Sequence, residues 1–331
     1  MNPYLKLLDC IDPRNHTRTG LKVLDLFAGC GGLGLGFEAA GFQTIGMEMD
    51  KDACDTYNKN LLGTCIHQKL TIDTNFPDCD VVIGGPPCQP FSVGGKQLGL
   101  KDSRDGFPIF IRAVKALQPK VWLFENVRGM AYRNKHYLNE ILQELRTLDY
   151  KISIKIVNSK KLNVPQNRER LIVVGHKNMF FYPEDSEDFF TVNDAIGDIA
   201  FNINDDDVFL TPNQDQYIKK YEIASDCINP RDLIFNKPAR TLTCRNLSGA
   251  TGDMQRIKLP DGRRKRLNVN EAARLQSFPD WFQFSGAKTS QFKQIGNAVP
   301  PLMSFFLAKS LLNSIKDESP IIKNSLQLNF L

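Results

Sequence analysis

Lys22-Val-Leu-Asp-Leu-Phe-Ala-Gly-Cys-Gly-Gly-Leu-Gly-Leu-Gly36 is the stretch that decides the fold. Lys22 to Phe27 reads as a short buried strand, a glycine cluster follows, and Leu33 to Ala40 reads as a helix. Gly29, Gly31 and Gly34 satisfy G-x-G-x-x-G, and Glu48 stands about 20 residues on, the spacing of a dinucleotide fingerprint whose acidic partner binds ribose hydroxyls. Glycine lets the backbone turn sharply and approach a ligand closely. The following helix offers its N-terminus to negative charge, phosphate or carboxylate. The loop by itself fits NAD, FAD or S-adenosylmethionine, all adenosine ligands with ribose hydroxyls.

The surrounding chain alternates strands and helices. Phe42 to Glu48 reads as a strand, Asp50 to Leu62 as a helix, Asp80 to Gly84 as a strand and Pro108 to Leu117 as a helix stopping before Pro119. Lys120 to Phe124 is a further strand, and Tyr137 to Leu148 a helix with Leu138, Ile141, Leu142, Leu145 and Leu148 on one face. This predicts an α/β fold with a doubly wound, mostly parallel sheet covered on both sides. Beyond Lys151 the pattern changes: strands at 152–156 and 171–174 flank a polar loop, 163–170. From 177 to 266 periodicity is weak, and helical signals return at 270–276 and 302–315.

The expected organisation is a discontinuous domain of residues 1–176 and 267–331, with a smaller irregular domain, 177–266, inserted. Charge marks the insertion. Residues 178–218 contain no Lys or Arg, whereas 219–266 hold 12 basic residues against 5 acidic ones. A polyanion is repelled by the first stretch and attracted by the second.

Composition bounds the possibilities. With 331 residues, 42% hydrophobic and 24% charged, the chain is globular, which excludes disordered, collagen-like and low-complexity classes. No apolar run approaches the ~18–20 residues of a membrane helix. Residues 1–20 lack the apolar core of a secretory signal, so the expectation is a cytoplasmic protein with no membrane partner. No two of the 8 cysteines lie two to four residues apart, so no metal site or redox pair is expected. The net charge of +5 permits a nucleic-acid partner without demanding one.

Gly84-Gly-Pro-Pro-Cys-Gln-Pro-Phe-Ser92 narrows the function. Cys88 follows a strand's carboxyl end, where open α/β sheets place their ligands. Pro86 and Pro87 restrict φ and stiffen the loop, which helps to aim a nucleophile. Glu125-Asn-Val127 lies at the end of a neighbouring strand, so its carboxyl group can face the same crevice. Gln166-Asn-Arg-Glu-Arg170 supplies Arg168 and Arg170, which in an extended segment point to the same side.

Together these segments resemble the DNA (cytosine-5)-methyltransferase family, of the bacterial restriction-modification type. Phe27-Ala-Gly-Cys-Gly-Gly32, Pro86-Pro-Cys-Gln-Pro-Phe-Ser92, Glu125-Asn-Val127 and Gln166-Asn-Arg-Glu-Arg170 are similar to that family's successive motifs, in its order. Asn270-Glu-Ala-Ala-Arg-Leu-Gln-Ser-Phe-Pro279 and Gln294-Ile-Gly-Asn-Ala-Val-Pro300 are similar to its last two, and the match runs from Leu21 to about Lys309. One segment departs. The family usually has an Asp bonding the adenine amino group where this chain reads Gln68-Lys-Leu-Thr-Ile-Asp73, and Asp73 lies a few residues late.

The resemblance implies a sheet of the S-adenosylmethionine-dependent methyltransferase type with a smaller, irregular target-recognition domain. It implies methyl transfer from S-adenosyl-L-methionine to C5 of a flipped-out cytosine in a specific duplex DNA sequence. Cytosine C5 is a poor nucleophile until a thiolate adds at C6, so Cys88 becomes the nucleophile. Glu125 is protonated toward N3 for part of the cycle, and Arg168 or Arg170 supplies positive charge. The resemblance places Phe27 on the adenine and Glu48 on the ribose. It puts Ala28, Gly29, Gly31 and Gly32 at the methionine end, with Met49, Pro87, Phe107, Asn297 and Val299 lining the same pocket. Gln89, Ser92, Arg240, Arg245 and Arg264 are the expected DNA contacts, with Arg264 either on phosphate or in a simply solvated turn. It further implies a monomer whose cognate restriction endonuclease acts on the same site without needing to bind it. Two other readings share features of the sequence. One is a tRNA cytosine-5 methyltransferase; the other is a non-catalytic DNA-binding relative, which would be expected to lose Cys88 or Glu125.

Overall fold

The computed structural model describes residues 2–87, 105–205, 207–226, 231–249 and 251–317. The first half runs α1 (Pro3–Asp9), β1 (Lys22–Leu26), α2 (Gly32–Ala39), β2 (Gln43–Glu48), α3 (Lys51–Asn60), β3 (Thr64–His67), β4 (Val81–Gly84), α4 (Phe107–Leu117), β5 (Val121–Val127), α5 (Gly129–Tyr132), α6 (Lys135–Arg146), β6 (Lys151–Asn158), β7 (Gln166–Asn167) and β8 (Glu169–His176). Local chemistry sets these boundaries. Asp50 caps α3 by accepting from the Ala53 amide. Pro108 sits in the first turn of α4, and Gln118 in a left-handed conformation ends it before Pro119.

Seven strands form one sheet in the order β3-β2-β1-β4-β5-β8-β6. β3, β2, β1, β4 and β5 are parallel, while β8 runs antiparallel to both β5 and β6. The order reverses between β1 and β4, which opens a crevice at their carboxyl ends. Strand alternation divides the core. Val121 and Leu123 face one buried cluster, and Trp122 and Phe124 face the other. The second cluster packs Phe107, Phe110, Trp122 and Phe124 edge-on beneath α4 and α6.

β6 and β8 run longer than the sequence expectation, β7 forms inside the expected polar loop, and two further strands differ. β3 is an added edge strand, and it is hard to read because only Cys65 of its four residues is buried. β5 continues through Glu125 to Val127, so the Glu-Asn-Val segment lies within a strand rather than after it.

The second half adds α7 (Val192–Ile196), α8 (Pro212–Ala224), β9 (Ala239–Arg240), α9 (Cys244–Ser248), β10 (Arg256–Lys258), β11 (Arg264–Arg266), α10 (Val269–Leu275), α11 (Lys288–Asn297) and α12 (Pro301–Lys316). α8 forms where sequence periodicity is weak, because Ile218 is its only buried residue; a Thr211–Gln214 capping box and Pro212 start it. α12 returns against α2, and the backbone approach is close: a Cβ on Gly36 would stand 2.3 Å from the Phe305 amide. By length and composition alone the stretch Lys288–Lys316 is apolar enough for a membrane span, which the sequence reading did not anticipate; it is divided between α11 and α12, and its apolar window is 83% buried inside the protein. The buried cluster that contains β1 and α2 continues into residues 192–200 and 239–259.

Candidate active site

The glycine loop leaves β1 through Phe27, which holds φ of 60°, a value few non-glycine residues adopt. The Phe27 ring is partly exposed at the crevice, and it lies with Pro86 and Pro87 around Gly106. Ala28 is buried and its amide donates to the Met47 carbonyl. Gly29 has φ of 55°, and a Cβ there would meet nothing within 4 Å. Gly31 and Gly32 differ. A Cβ on Gly31 would strike Tyr57 and Leu61, and one on Gly32 would lie 2.4 Å from the Val299 carbonyl. These two glycines therefore permit close packing, whereas Gly29 opens onto space.

Glu48 caps this arrangement. Its Oε2 accepts from the Gly29 amide at 2.9 Å, and Oε1 accepts from the Met49 and Asp50 amides at 2.8 and 2.7 Å. The N-terminus of α2 has no side-chain cap. Met49 is exposed beside the crevice, as is Asn297 at the end of α11, and Val299 is buried against Gly32. Asp73 sits exposed in a turn between Thr71 and Thr74. Phe107 is a correction to the expected pocket wall. Its ring is wholly enclosed between Phe124 and Tyr137, because apolar α4 turns that face into the core.

Sequence reasoning passed over Asp25. It lies on β1 beneath the loop, 1% exposed, and neither oxygen makes a well-formed hydrogen bond among the described residues. Burial and repulsion from Glu48 raise its pKa well above the usual carboxyl range, and the Gly34 amide opposes this only in part. A carboxylate in an apolar strand was the available signal.

The second end of the crevice lies between β4 and β5. The Asn126 side chain donates to the Pro86 carbonyl at 3.0 Å, fixing the Pro-Pro turn beside β5. A Cβ on Gly85 would stand 3.7 Å from Glu125 Oε2, so this carboxylate faces the start of the cysteine loop. Glu125 Oε1 in turn pairs with Arg170 Nε at 2.8 Å, with both side chains about one-tenth exposed. Cys88, Gln89 and Ser92 lie outside the described residues. Burial pushes the thiols of Cys30 and Cys79 up to about 12, which suppresses thiolate at neutral pH.

Arg168 and Arg170 part company. Arg168 is 1% exposed, and it donates to the carbonyls of Leu242 at 2.6 Å, Gly296 at 3.2 Å and Ala298 at 3.0 Å. Burial and the neighbouring Arg170 lower its pKa well below the ordinary arginine value. Gln166 extends the knot: it donates to the Leu275 carbonyl and to Gln276, and it accepts from the Leu242 amide. Gln276 donates to the Ala298 carbonyl. Three motif segments and the β9 strand end thus meet in one buried polar cluster.

The basic stretch 219–266 divides in two. Arg256 and Arg264 turn inward onto Asp215, Glu222 and Asp232. Lys265, fully buried, bridges Asp207 at 3.1 Å and Glu271 at 2.8 Å. Arg264 is therefore corrected from a phosphate contact to an internal tie: three carboxylates from α8 and the Asp232 segment enclose its guanidinium, leaving it 7% exposed. The acidic and basic stretches that looked like separate faces neutralise each other here. Arg240 and Arg245 instead face solvent, and Arg245 shares Asp253 with Arg231.

Comparison with known proteins agrees with this geometry. The family model for C-5 cytosine-specific DNA methylases matches residues 21–313. The Type II methyltransferase M.AplI of Arthrospira platensis is 56% identical over 304 residues, spanning 90% of this chain and 87% of that one. The Type II methyltransferase M1.HphI of Haemophilus parahaemolyticus is 34% identical over 90% of this chain and 88% of its own. Among solved structures, Entamoeba histolytica methyltransferase EhMeth superposes with a TM-score of 0.67 at 18% identity, over 91% of this chain and 99% of that one. A mutant of Spodoptera frugiperda DNMT2 gives 0.68 at 16% identity, over 90% and 100%. These two establish the shared fold alone. The chain belongs to the C-5 cytosine-specific DNA methylase family, enzymes that methylate C5 of cytosine in DNA with S-adenosyl-L-methionine as donor.

Proposed function

We propose that this enzyme methylates one cytosine within a specific duplex sequence, as the cytoplasmic modification partner of a restriction endonuclease that recognises the same site. The observation that carries this is the Glu125–Arg170 pair facing Gly85 and the Pro86-Pro87 turn, beside the loop of Phe27, Gly29 and Glu48. The open face at Gly29 and the uncapped N-terminus of α2 suit a cofactor bearing a carboxylate, and Glu48 suits its ribose. S-adenosyl-L-methionine supplies an electrophilic methyl on a sulfonium. Phe27, Ala28, Gly29, Gly31, Gly32, Glu48, Met49, Pro87, Asn297 and Val299 are the residues we assign to holding it, Gly31 and Gly32 through packing.

A cytosine inside a duplex hides C6 from a thiol, so the base must leave the stack. Cys88 adds through its thiolate to C6, and the electrons of the C5–C6 double bond move toward N3, where Glu125 donates a proton. Arg170 orients that carboxyl. C5, now enamine-like, takes the methyl group, the electron pair of the broken S–CH3 bond staying on the donor sulfur. A base removes the C5 proton, the C5–C6 double bond re-forms, Cys88 leaves as thiolate and N3 returns its proton to Glu125. Residues 177–266 form the reading wall, with Arg240 and Arg245 toward DNA, and Gln89 and Ser92 contact it from the cysteine loop. The enzyme acts as a monomer.

Incubation of plasmid with the purified protein and tritiated cofactor, followed by bisulfite mapping, tests the reading. Modified cytosines should fall in one sequence context, and tRNA should remain unlabelled. A duplex carrying 5-fluorocytosine at that position should trap a denaturation-resistant adduct on Cys88, since fluorine cannot depart as a cation. Labelled tRNA with unlabelled DNA, or an adduct on another cysteine, would defeat the scheme.

A further inference from the structure

The arginines of 219–266 sort by what surrounds them. Arg256 and Arg264 are saturated by carboxylates, whereas Arg231, Arg240 and Arg245 gather around Asp253. Asp232 bridges to Arg256 and points inward, so the alternation of an extended segment sends Arg231 to the opposite side. Arg240 and Arg245 are exposed, so donors of these two guanidiniums are directed at solvent. Surrounding groups partly desolvate Arg240, and Arg231 repels it, so its pKa falls below the ordinary value. Such crowding of like charge opposes folding and points to an external acceptor.

The backbone that carries Arg240 is fixed on both sides. The Ala239 amide donates to the Pro165 carbonyl at 2.8 Å, and Thr241 Oγ1 donates to the Asn167 carbonyl at 2.7 Å. The Leu242 amide donates to Gln166 at 2.9 Å, and Asn246 donates to the Thr241 carbonyl at 2.8 Å. A flexible surface arginine is sufficient for a phosphate. A guanidinium on a rigid strand suits a base edge, where two hydrogen bonds must align together.

Resting on the reading that this enzyme modifies duplex DNA, we propose that Arg240, supported by Arg231 and Asp253, forms a guanine-binding site that reads a guanine within three base pairs of the target cytosine. Guanine presents O6 and N7 as paired acceptors to an arginine fork, whereas adenine places a donor amino group there. Register sets the distance. Arg240 pairs with Asn167, three residues before the Arg170 that holds Glu125. Asn167 ends β7 and Arg170 lies in β8, so three residues at ~3.3 Å each set an upper limit of roughly 10 Å, about three base-pair rises of ~3.4 Å.

The test begins with the wild-type site, mapped by bisulfite sequencing, and compares kcat/KM on duplexes substituted one base pair at a time. Arg240→Ala should lose about 10–100-fold of discrimination at a single guanine within three base pairs of the cytosine, and keep it elsewhere. Cofactor affinity should stay at the wild-type value, which reports folding. Arg240→Lys, which keeps charge and loses the fork, should relax the same position while keeping the salt dependence of binding. A uniform loss on every duplex with a flatter salt slope would make Arg240 a phosphate contact and overturn the proposal. Discrimination unchanged at all positions, or relaxed at an A·T pair, would overturn it equally. Wild-type protein inactive on DNA would instead sink the underlying function.

Discussion

Glu125 and Arg170 stand diagonally across the antiparallel β5–β8 pair, where Val127 opposes Arg170 and Glu125 opposes Ile172, and their side chains meet at 2.8 Å. The sheet register therefore aims the carboxyl group. Arg170→Ala should lower kcat by about 10–100-fold, since hydrogen bonds to charged groups contribute ~1.5–3 kcal/mol. Cofactor Kd should change little, because Arg170 lies across the crevice from Glu48. Single-turnover methyl transfer with parallel calorimetry checks both halves; a mutant that turns over normally would remove Arg170 from orienting Glu125.

Arg168 should act on stability. Arg168→Met leaves the carbonyls of Leu242, Gly296 and Ala298 without their donor. Leaving a buried acceptor unsatisfied typically costs about 1–3 kcal/mol. Urea denaturation should show a loss of that size, and Arg168→Lys, which restores charge but not three-way reach, should recover only part of it. A fully stable Arg168→Met protein would show that the knot does not hold these segments together.

The two glycines of the loop should separate packing from binding. Gly32→Ala drives a methyl group against the Val299 carbonyl, an overpacking expected to cost about 1–3 kcal/mol of stability. Gly29→Ala meets no atom, but its left-handed φ costs roughly 1–2 kcal/mol in an L-residue. Its methyl group also enters the crevice, so it alone should weaken cofactor binding, by tenfold or more. Thermal melts with and without cofactor distinguish them, and identical behaviour would contradict the distinction.

Asp25 gives a pH signature. Its folded pKa is raised, so its contribution to stability is fully present below the unfolded carboxyl pKa, ~3.9, and is lost as pH rises through the folded value. Asp25→Asn removes the charged form. It should therefore raise Tm relative to wild type at neutral and alkaline pH, with the difference vanishing toward pH 4. An Asn variant less stable than wild type at pH 8 would mean that Asp25 has a favourable partner in its ionised form.

The sequence by itself determined the alternating α/β order, the glycine loop with Glu48, and the family to which the chain belongs. These features are local: hydrophobic period, glycine spacing and short motifs survive in one dimension because each depends on neighbours along the chain. What a residue faces depends on distant ones. Only the tertiary structure showed that Gly32 is small for Val299 while Gly29 opens onto the crevice. It alone turned Arg168 toward Leu242, Gly296 and Ala298 while Arg170 met Glu125, although the two arginines are two residues apart. The 12 basic residues of 219–266 read alike in sequence. Folding buried Arg264 among Asp215, Glu222 and Asp232 and left Arg240 facing outward, because a charge leaves water only where carboxylates, or carbonyls as at Arg168, converge to replace it.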